Sequence, residues 1–172
     1  MSTKISMNDR PENLRQDPRE GKYLTFSLAD EEYGISILKV REIIGIMPVR
    51  SIPQAPHFVK GVINLRGLVI PVVDLRLKFA MPEIYYTDRT SIIVVDAADG
   101  QGAKMRIGIV VDFVSEVMNI KGGDIANTPS LGAGLKTEFI LGMAKVGKTV
   151  KILLDIDRIL EAGNLADLES VF

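Results

Sequence analysis

The sequence predicts an all-β fold in which one small barrel unit of about five strands occurs twice, accompanied only by short helices. Three observations lead there. Short segments rich in Val and Ile, at Tyr23–Leu28, Leu68–Val73, Ser91–Val95, Arg106–Val111 and Thr149–Leu154, are separated by clusters of Gly, Pro, Asp and Asn, the pattern of strands joined by turns. The stretch from Tyr33 to Ile46 recurs from Ile107 to Ile120, with Gly34 matched by Gly108 and Glu42 by Glu116, an offset of 74 residues. Phe58, Gly61, Val69 and Asp74 recur as Phe139, Gly142, Val150 and Asp155 at an offset of 81. The additional residues fall to the Gly-rich loop near Leu131–Thr137, and the order reads as an internal duplication. Closing each unit on itself leaves no strand edge free to aggregate.

The elements follow in chain order. Residues 1–21 hold Lys4, Asp9, Arg10, Glu12, Arg15, Asp17, Arg19 and Glu20 without an apolar stretch, so they read as a flexible polar tail and not as a secretory signal. After the first strand, Leu38–Ile44 is open to two readings. Leu38, Arg41 and Glu42 stand at helical spacing, whereas the β-branched content favours a strand. Pro53-Gln54-Ala55-Pro56-His57 is a proline-punctuated loop. In the hairpin that follows, Gly61 permits close backbone approach, Arg66-Gly67 makes the turn, Pro71 marks an edge or a bulge, and Asp74 ends the strand. Beyond Thr149–Leu154, Asp155 or Asp157 caps a helix at Arg158–Ala162 that Gly163-Asn164 stops. Leu165–Val171 offers a further amphipathic turn, expected to pack on the body as a C-terminal helical tail over 163–172.

Composition narrows the chemistry. The chain has 172 residues, 47% hydrophobic, 25% charged and 6% aromatic, with a formal net charge of −1. That suits an ordinary aliphatic core and lacks the basic footprint that nucleic acid requires. The absence of cysteine removes disulfides, thiolate metal sites and a thiol nucleophile, and suits a reducing cytoplasm. No window approaches the roughly twenty apolar residues of a membrane-spanning helix, so no direct membrane insertion is expected.

Gly142-Met143-Ala144-Lys145-Val146-Gly147-Lys148-Thr149 satisfies the phosphate-loop pattern and raises the alternative of a small nucleotide-binding protein. Such a loop needs a helix to begin at its Lys, so that backbone N–H groups and the helix dipole meet the phosphates. Here Val150-Lys151-Ile152-Leu153-Leu154 reads as a strand, and the repeat sets Gly147-Lys148 opposite the hairpin turn Arg66-Gly67. His57, the single histidine, reads as a solvated loop residue. Asp96 and Asp99, like Asp155 and Asp157, sit where acids end structure and are not paired for acid–base work. No catalytic residue, metal ligand or cofactor is assigned, and the chain is expected not to be an enzyme.

The segment Phe58-Val59-Lys60-Gly61-Val62-Ile63-Asn64-Leu65-Arg66-Gly67-Leu68-Val69-Ile70-Pro71-Val72-Val73-Asp74-Leu75-Arg76 closely resembles the signature of the CheW family, found also in the regulatory domain of the chemotaxis kinase CheA. The likeness extends through Glu31–Ile35, Val40–Ile43, Gly108–Asp112 and Ile152–Ile156, so that it covers about residues 22–162. It implies two intertwined SH3-like five-stranded β-barrels that exchange strands, with subdomains at about 22–88 and 89–162. It also implies a non-enzymatic, cytoplasmic adaptor, recruited to membrane receptor arrays, that couples the cytoplasmic tips of methyl-accepting chemoreceptors to the histidine kinase CheA.

By motif position the implied receptor-binding residues are Val40, Ile43, Gly61, Asn64, Leu65, Arg66 and Gly67, with Val110 and Val111 from the second copy. Arg66 is the sharpest of them, because an arginine on a hairpin tip offers a planar fork of donors to a receptor helix. For the kinase, the exposed turns suggest Glu42, Asp99, Gly100, Lys145 and Gly147. A stand-alone module like the CheA regulatory domain is the other reading within the family. The first 21 residues are too few for a phosphotransfer bundle, an ATP-binding domain or a receiver.

Overall fold

The computed structural model describes residues 17–98, 103–129 and 137–161. In the first half the strands are β1 (Gly21–Leu28), β2 (Glu31–Ser36), β3 (Val40–Gly45), β4 (Val59–Leu65) and β5 (Leu68–Asp74), followed by helix α1 (Leu75–Lys78). The second half supplies β6 (Ser91–Ala98), β7 (Lys104–Val111), β8 (Phe113–Ile120), β9 (Ile125–Ala126), β10 (Ile140–Val146), β11 (Thr149–Leu154) and helix α2 (Ile156–Glu161). The fold is therefore all-β with short helices, as expected. One sheet has the order β8-β1-β2-β11-β10-β9 and the other β3-β6-β7-β5-β4.

Each sheet draws strands from both repeats. The β1–β2 hairpin sits between β8 and β11, and the β6–β7 hairpin sits between β3 and β5. The junctions are parallel, with Leu153 opposite Gly34 in one and Val72 opposite Gly108 in the other. Parallel neighbours cannot be joined by a tight turn, so these junctions come from distant parts of the chain. The repeat also holds in detail. The Asp74 N–H donates to the Phe58 carbonyl at 2.8 Å, and the Asp155 N–H donates to the Phe139 carbonyl at the same 2.8 Å. A bulge interrupts β4 between Val59 and Gly61, and another interrupts β10 between Ile140 and Gly142.

Apolar residues are buried on both faces of the sheets, which explains runs such as Ile92-Ile93-Val94-Val95 where strict alternation would be expected of a one-sided sheet. Leu24, Phe26 and Leu28 of β1 join Ile93 and Val95 of β6, Ile107 and Ile109 of β7 and Leu154 of β11 in one large core between the sheets. Ile92 and Val94 point the other way, into a smaller cluster with Ile63, Ile70, Val72 and Val110. Its counterpart in the other sheet holds Tyr23, Ile120, Ile125, Ala144 and Leu153. Thr25 is buried where the β1–β8 register shifts. Its hydroxyl donates to the Glu116 carbonyl at 2.8 Å and accepts from the Glu116 N–H at 3.2 Å, replacing the missing backbone partners.

Three local expectations change. Within Leu38–Ile44 the strand prevails from Val40 on, after a single 3-10 turn at Ile37–Lys39 whose start is capped by Ser36. β5 lies between β7 and β4, so Pro71 is on an interior strand and not at an edge. It is tolerated because pairing with β7 begins only at Val72, and the bulge lies in β4, opposite Val72 and Val73. The C-terminal helix begins earlier than expected, at Ile156, with the Asp155 side chain accepting from the Arg158 N–H at 3.3 Å. Asp157 has another task, binding the Lys39 ammonium at 2.6 Å and the Ala98 N–H at 3.0 Å. The expected turn at Leu165–Val171 lies outside the described residues.

Asp74 caps α1, accepting from the N–H groups of Arg76 and Leu77, and is 2% exposed. It also accepts the Tyr86 hydroxyl at 2.7 Å, and burial together with this carboxylate raises the pKa of that phenol far above its ordinary value. Arg76 forks onto Asp112 through Nε at 2.7 Å and Nη2 at 2.6 Å. That hydrogen-bonded carboxylate raises the guanidinium pKa further still.

Candidate partner-binding surface

The β4–β5 hairpin closes through a two-residue turn, with Leu65 opposite Leu68. Arg66 has φ 51° and Gly67 φ 87°, the pair of positive angles that a type I′ turn requires and that suits the right-handed twist of the flanking strands. The Asn64 side-chain carbonyl accepts the Gly67 N–H at 2.8 Å and stiffens the tip. From this tip the Arg66 guanidinium reaches back to the Glu42 carboxylate on β3. The contact orients Arg66 while its side chain stays 70% exposed. An exposed pair of this kind contributes little to stability, so what it provides is an arginine held in one direction on a rigid turn.

Leu68 and Val69, from the outgoing strand of the hairpin, stand unburied beside it, and Ile43 and Ile46, from β3 and its exit, are exposed as well. Val69 is 53% exposed and Ile43 44%. Leu65 and Val40 are half-buried against the small and the large core respectively. The structure thus gathers Asn64, Leu65, Arg66 and Gly67 at one hairpin tip, while Val40 and Ile43 lie on β3, the opposite edge strand of the same sheet, which meets the tip through Glu42.

Other expected members do not present side chains there. Val110 and Val111 are 3% and 1% exposed and face the two cores, because β7 is covered on both faces. Gly61 is buried as well, and contributes by letting the backbone of Arg50 lie against it. Glu42, expected among the kinase-binding residues, is the ion-pair partner of Arg66. Lys145 and Gly147 are exposed on the β10–β11 hairpin. Asp99 and Gly100 lie outside the described residues.

Leu68, Val69 and Ile46 were missed because a continuous apolar run carries no periodic sign of which member faces outward. The two copies agree on which members face outward. Val69 and Ile43 correspond to Val150 and Val117, which are 47% and 49% exposed.

The phosphate-loop reading fails on geometry. Gly142–Val146 lies in β10, Gly147 turns with φ 59°, and Thr149 opens β11, its hydroxyl donating to the Val146 carbonyl at 2.9 Å. A hairpin presents no helix start to a phosphate. Lys148→Ala is expected to change stability by less than about 0.5 kcal/mol, as for an exposed turn residue. Calorimetric titration with magnesium and ATP should give no saturable heat in either form. His57 is an exposed loop residue, edge-on to Phe58 at 5.8 Å. Among the described residues, no group of three or more His, Cys, Asp or Glu could hold a metal ion, and no helix is long and apolar enough to cross a membrane.

Residues 22–164 match the family model of the CheW-like domain. The chain is 41% identical over 150 residues to the chemotaxis protein CheW of Klebsiella aerogenes, covering 87% of each chain. It is 30% identical over 152 residues to that of Treponema pallidum, covering 86% of each. Among solved structures, the scaffolding protein TtCheW of Thermoanaerobacter tengcongensis superposes with a TM-score of 0.73 at 32% identity, over 86% of this chain and 92% of the other.

Proposed function

Because this chain belongs to the CheW family of chemotaxis scaffolding proteins, we propose that it couples methyl-accepting chemoreceptors to the histidine kinase CheA in the cytoplasm, at membrane receptor arrays. The observation that carries this reading is the Arg66 tip, a rigid turn with a guanidinium oriented by Glu42 and followed by exposed Leu68 and Val69. Interface centres are rich in apolar anchors and arginine, and a receptor helix offers both apolar side chains and carboxylates to meet them. The β10–β11 hairpin, with Lys145, Gly147 and Val150 exposed, is a second surface distant along the chain, suited to the kinase.

The test is a pull-down with a receptor cytoplasmic fragment and CheA together. Arg66→Glu places a carboxylate beside Glu42 and is expected to weaken receptor capture about tenfold or more, the effect of losing a hot-spot arginine. Kinase capture and melting temperature should stay near wild type, since the residue is on an exposed turn. Equal loss of both partners, with the fold intact, would reject the assignment of this tip to the receptor.

A further inference from the structure

We infer that Arg41 and Arg106 hold a carboxylate of the receptor at a second position on the face that carries Glu42 and Arg66, an inference that rests on assigning the receptor to the Arg66 tip. Strand pairing sets the placement. Ile92 and Val94 of β6 face the small core, as do Ile70 and Val72 of β5, and so do Val110 of β7 and Ile44 of β3. Alternation along each strand then puts Asp96, Arg106 and Glu42 on that same face. Asp96 lies opposite Arg106, Glu42 opposite Val94, and Val72 beside Gly108 in the parallel junction. All three residues therefore stand toward the end of the sheet where the β4–β5 hairpin turns. Arg41 joins them from the bulge between Val40 and Glu42.

The two guanidiniums share one carboxylate, and it satisfies neither. Arg41 Nε lies 3.6 Å from Asp96 Oδ2 and Arg106 Nε lies 3.6 Å from Oδ1, both beyond hydrogen-bond length. Arg106 Nε is buried and has no hydrogen-bond partner among the described residues. A desolvated donor without an acceptor is rare in a native structure. Arg76 and Arg19, by contrast, fork onto Asp112 and Asp17 with bonds as short as 2.6 and 2.7 Å. The Arg41 and Arg106 side chains are 53% and 35% exposed, so an incoming acceptor can reach both.

Charge selects that acceptor. Two guanidiniums around one carboxylate leave a single positive charge, which a monoanionic carboxylate matches and which a dianionic phosphate, repelled by Asp96, does not. Exposed Lys104, two residues before Arg106 on the same face, adds attraction to this end of a chain whose net charge is −1. The planar fork of arginine is suited to a carboxylate carried by a partner side chain.

The signs of three variants of the full chain test this. Arg41→Gln and Arg106→Gln are each expected to weaken capture of the receptor cytoplasmic fragment about threefold or more, and to flatten its decline with rising salt, as for a lost interfacial charge. Asp96→Asn removes the internal competitor for both guanidiniums and is expected to strengthen capture about twofold or more. A purely structural ion-pair network predicts one sign for all three. Capture weakened in parallel by the three variants, or unchanged in both arginine variants, would overturn the inference. If Arg106→Gln fails to fold, the more exposed Arg41 carries the test. Arg66→Glu in the same assay separates the two assignments. Weakening by Arg66→Glu alone would overturn this inference and leave the receptor at the tip, whereas weakening by Arg41→Gln and Arg106→Gln alone would reject the tip and support the second position. Loss of CheA capture with receptor capture unchanged would overturn the inference by giving the surface to the kinase.

Discussion

Replacing Gly61 by alanine is expected to remove more than about 3 kcal/mol of stability, the range of forced backbone strain combined with overpacking. A Cβ at this position would stand 2.0 Å from the Arg50 carbonyl oxygen and 2.6 Å from its carbon, closer than any real contact. The neighbouring strand cannot swing clear, because Arg50 and Val62 exchange both N–H···O=C hydrogen bonds at 2.9 Å. Gly61 also has φ +141°, a conformation that side-chain-bearing residues rarely adopt.

The repeat supplies an internal control. Gly142 occupies the equivalent bulge with φ outside the left-handed region, and its Cβ would meet the Ile125 Cγ2 at 2.7 Å, the Arg19 Nη1 at 2.9 Å and the Ala126 oxygen at 3.0 Å. None of these contacts is as close as the 2.0 Å at Gly61, and the Arg19 Nη1 is the far end of a flexible side chain that can move. Gly142→Ala should therefore cost less than half as much, and urea unfolding followed by circular dichroism measures both. Equal midpoint losses would show that the Arg50 approach is not what makes Gly61 necessary.

Asp112→Ala is expected to have the second largest effect, a loss of about 2–4 kcal/mol, toward the range found when one partner of a largely buried ion pair is removed. The pair is 13% exposed at Arg76 and 15% at Asp112. Asp112 takes the guanidinium fork and also accepts the Ala29 N–H at 2.8 Å. It therefore ties α1, at the end of one repeat's hairpin, to the β1–β2 turn and to the β7–β8 junction. Without it the Arg76 guanidinium keeps, among the described residues, one hydrogen bond, to the Pro82 carbonyl at 3.2 Å, with Asp74 and Asp30 as more distant charges.

Removing both charges costs less than stranding one. The double variant Arg76→Met with Asp112→Leu should recover part of the loss in thermal unfolding. Additive losses would show that the two side chains do not act as a unit.

Much of this architecture was readable in advance because it is local. The Arg66-Gly67 and Gly147-Lys148 turns, the strands beside them, the strand end at Asp74 and the helix cap at Asp155 depend on residues within a few positions of one another. Their φ preferences and hydrogen bonds are properties of the segment. The duplication was visible for the same reason, since each copy repeats the same local demands. This also decided against the phosphate loop, whose eight letters had to be read with the strand that follows them.

What the chain order could not reveal is which surfaces meet. Val110 and Val111 looked available because nothing in an apolar strand says whether one face or both will be covered. Glu42 and Arg66 were assigned to different partners because 24 residues separate them. By itself the sequence determined the units, their turns and their count. Only the tertiary structure decided that the β1–β2 and β6–β7 hairpins sit in mixed sheets, which buries β7 on both faces and sets Arg66 against Glu42. The reason is that strand pairing and two-sided burial are contacts between distant segments, selected by the free energy of the whole core and encoded at no single position.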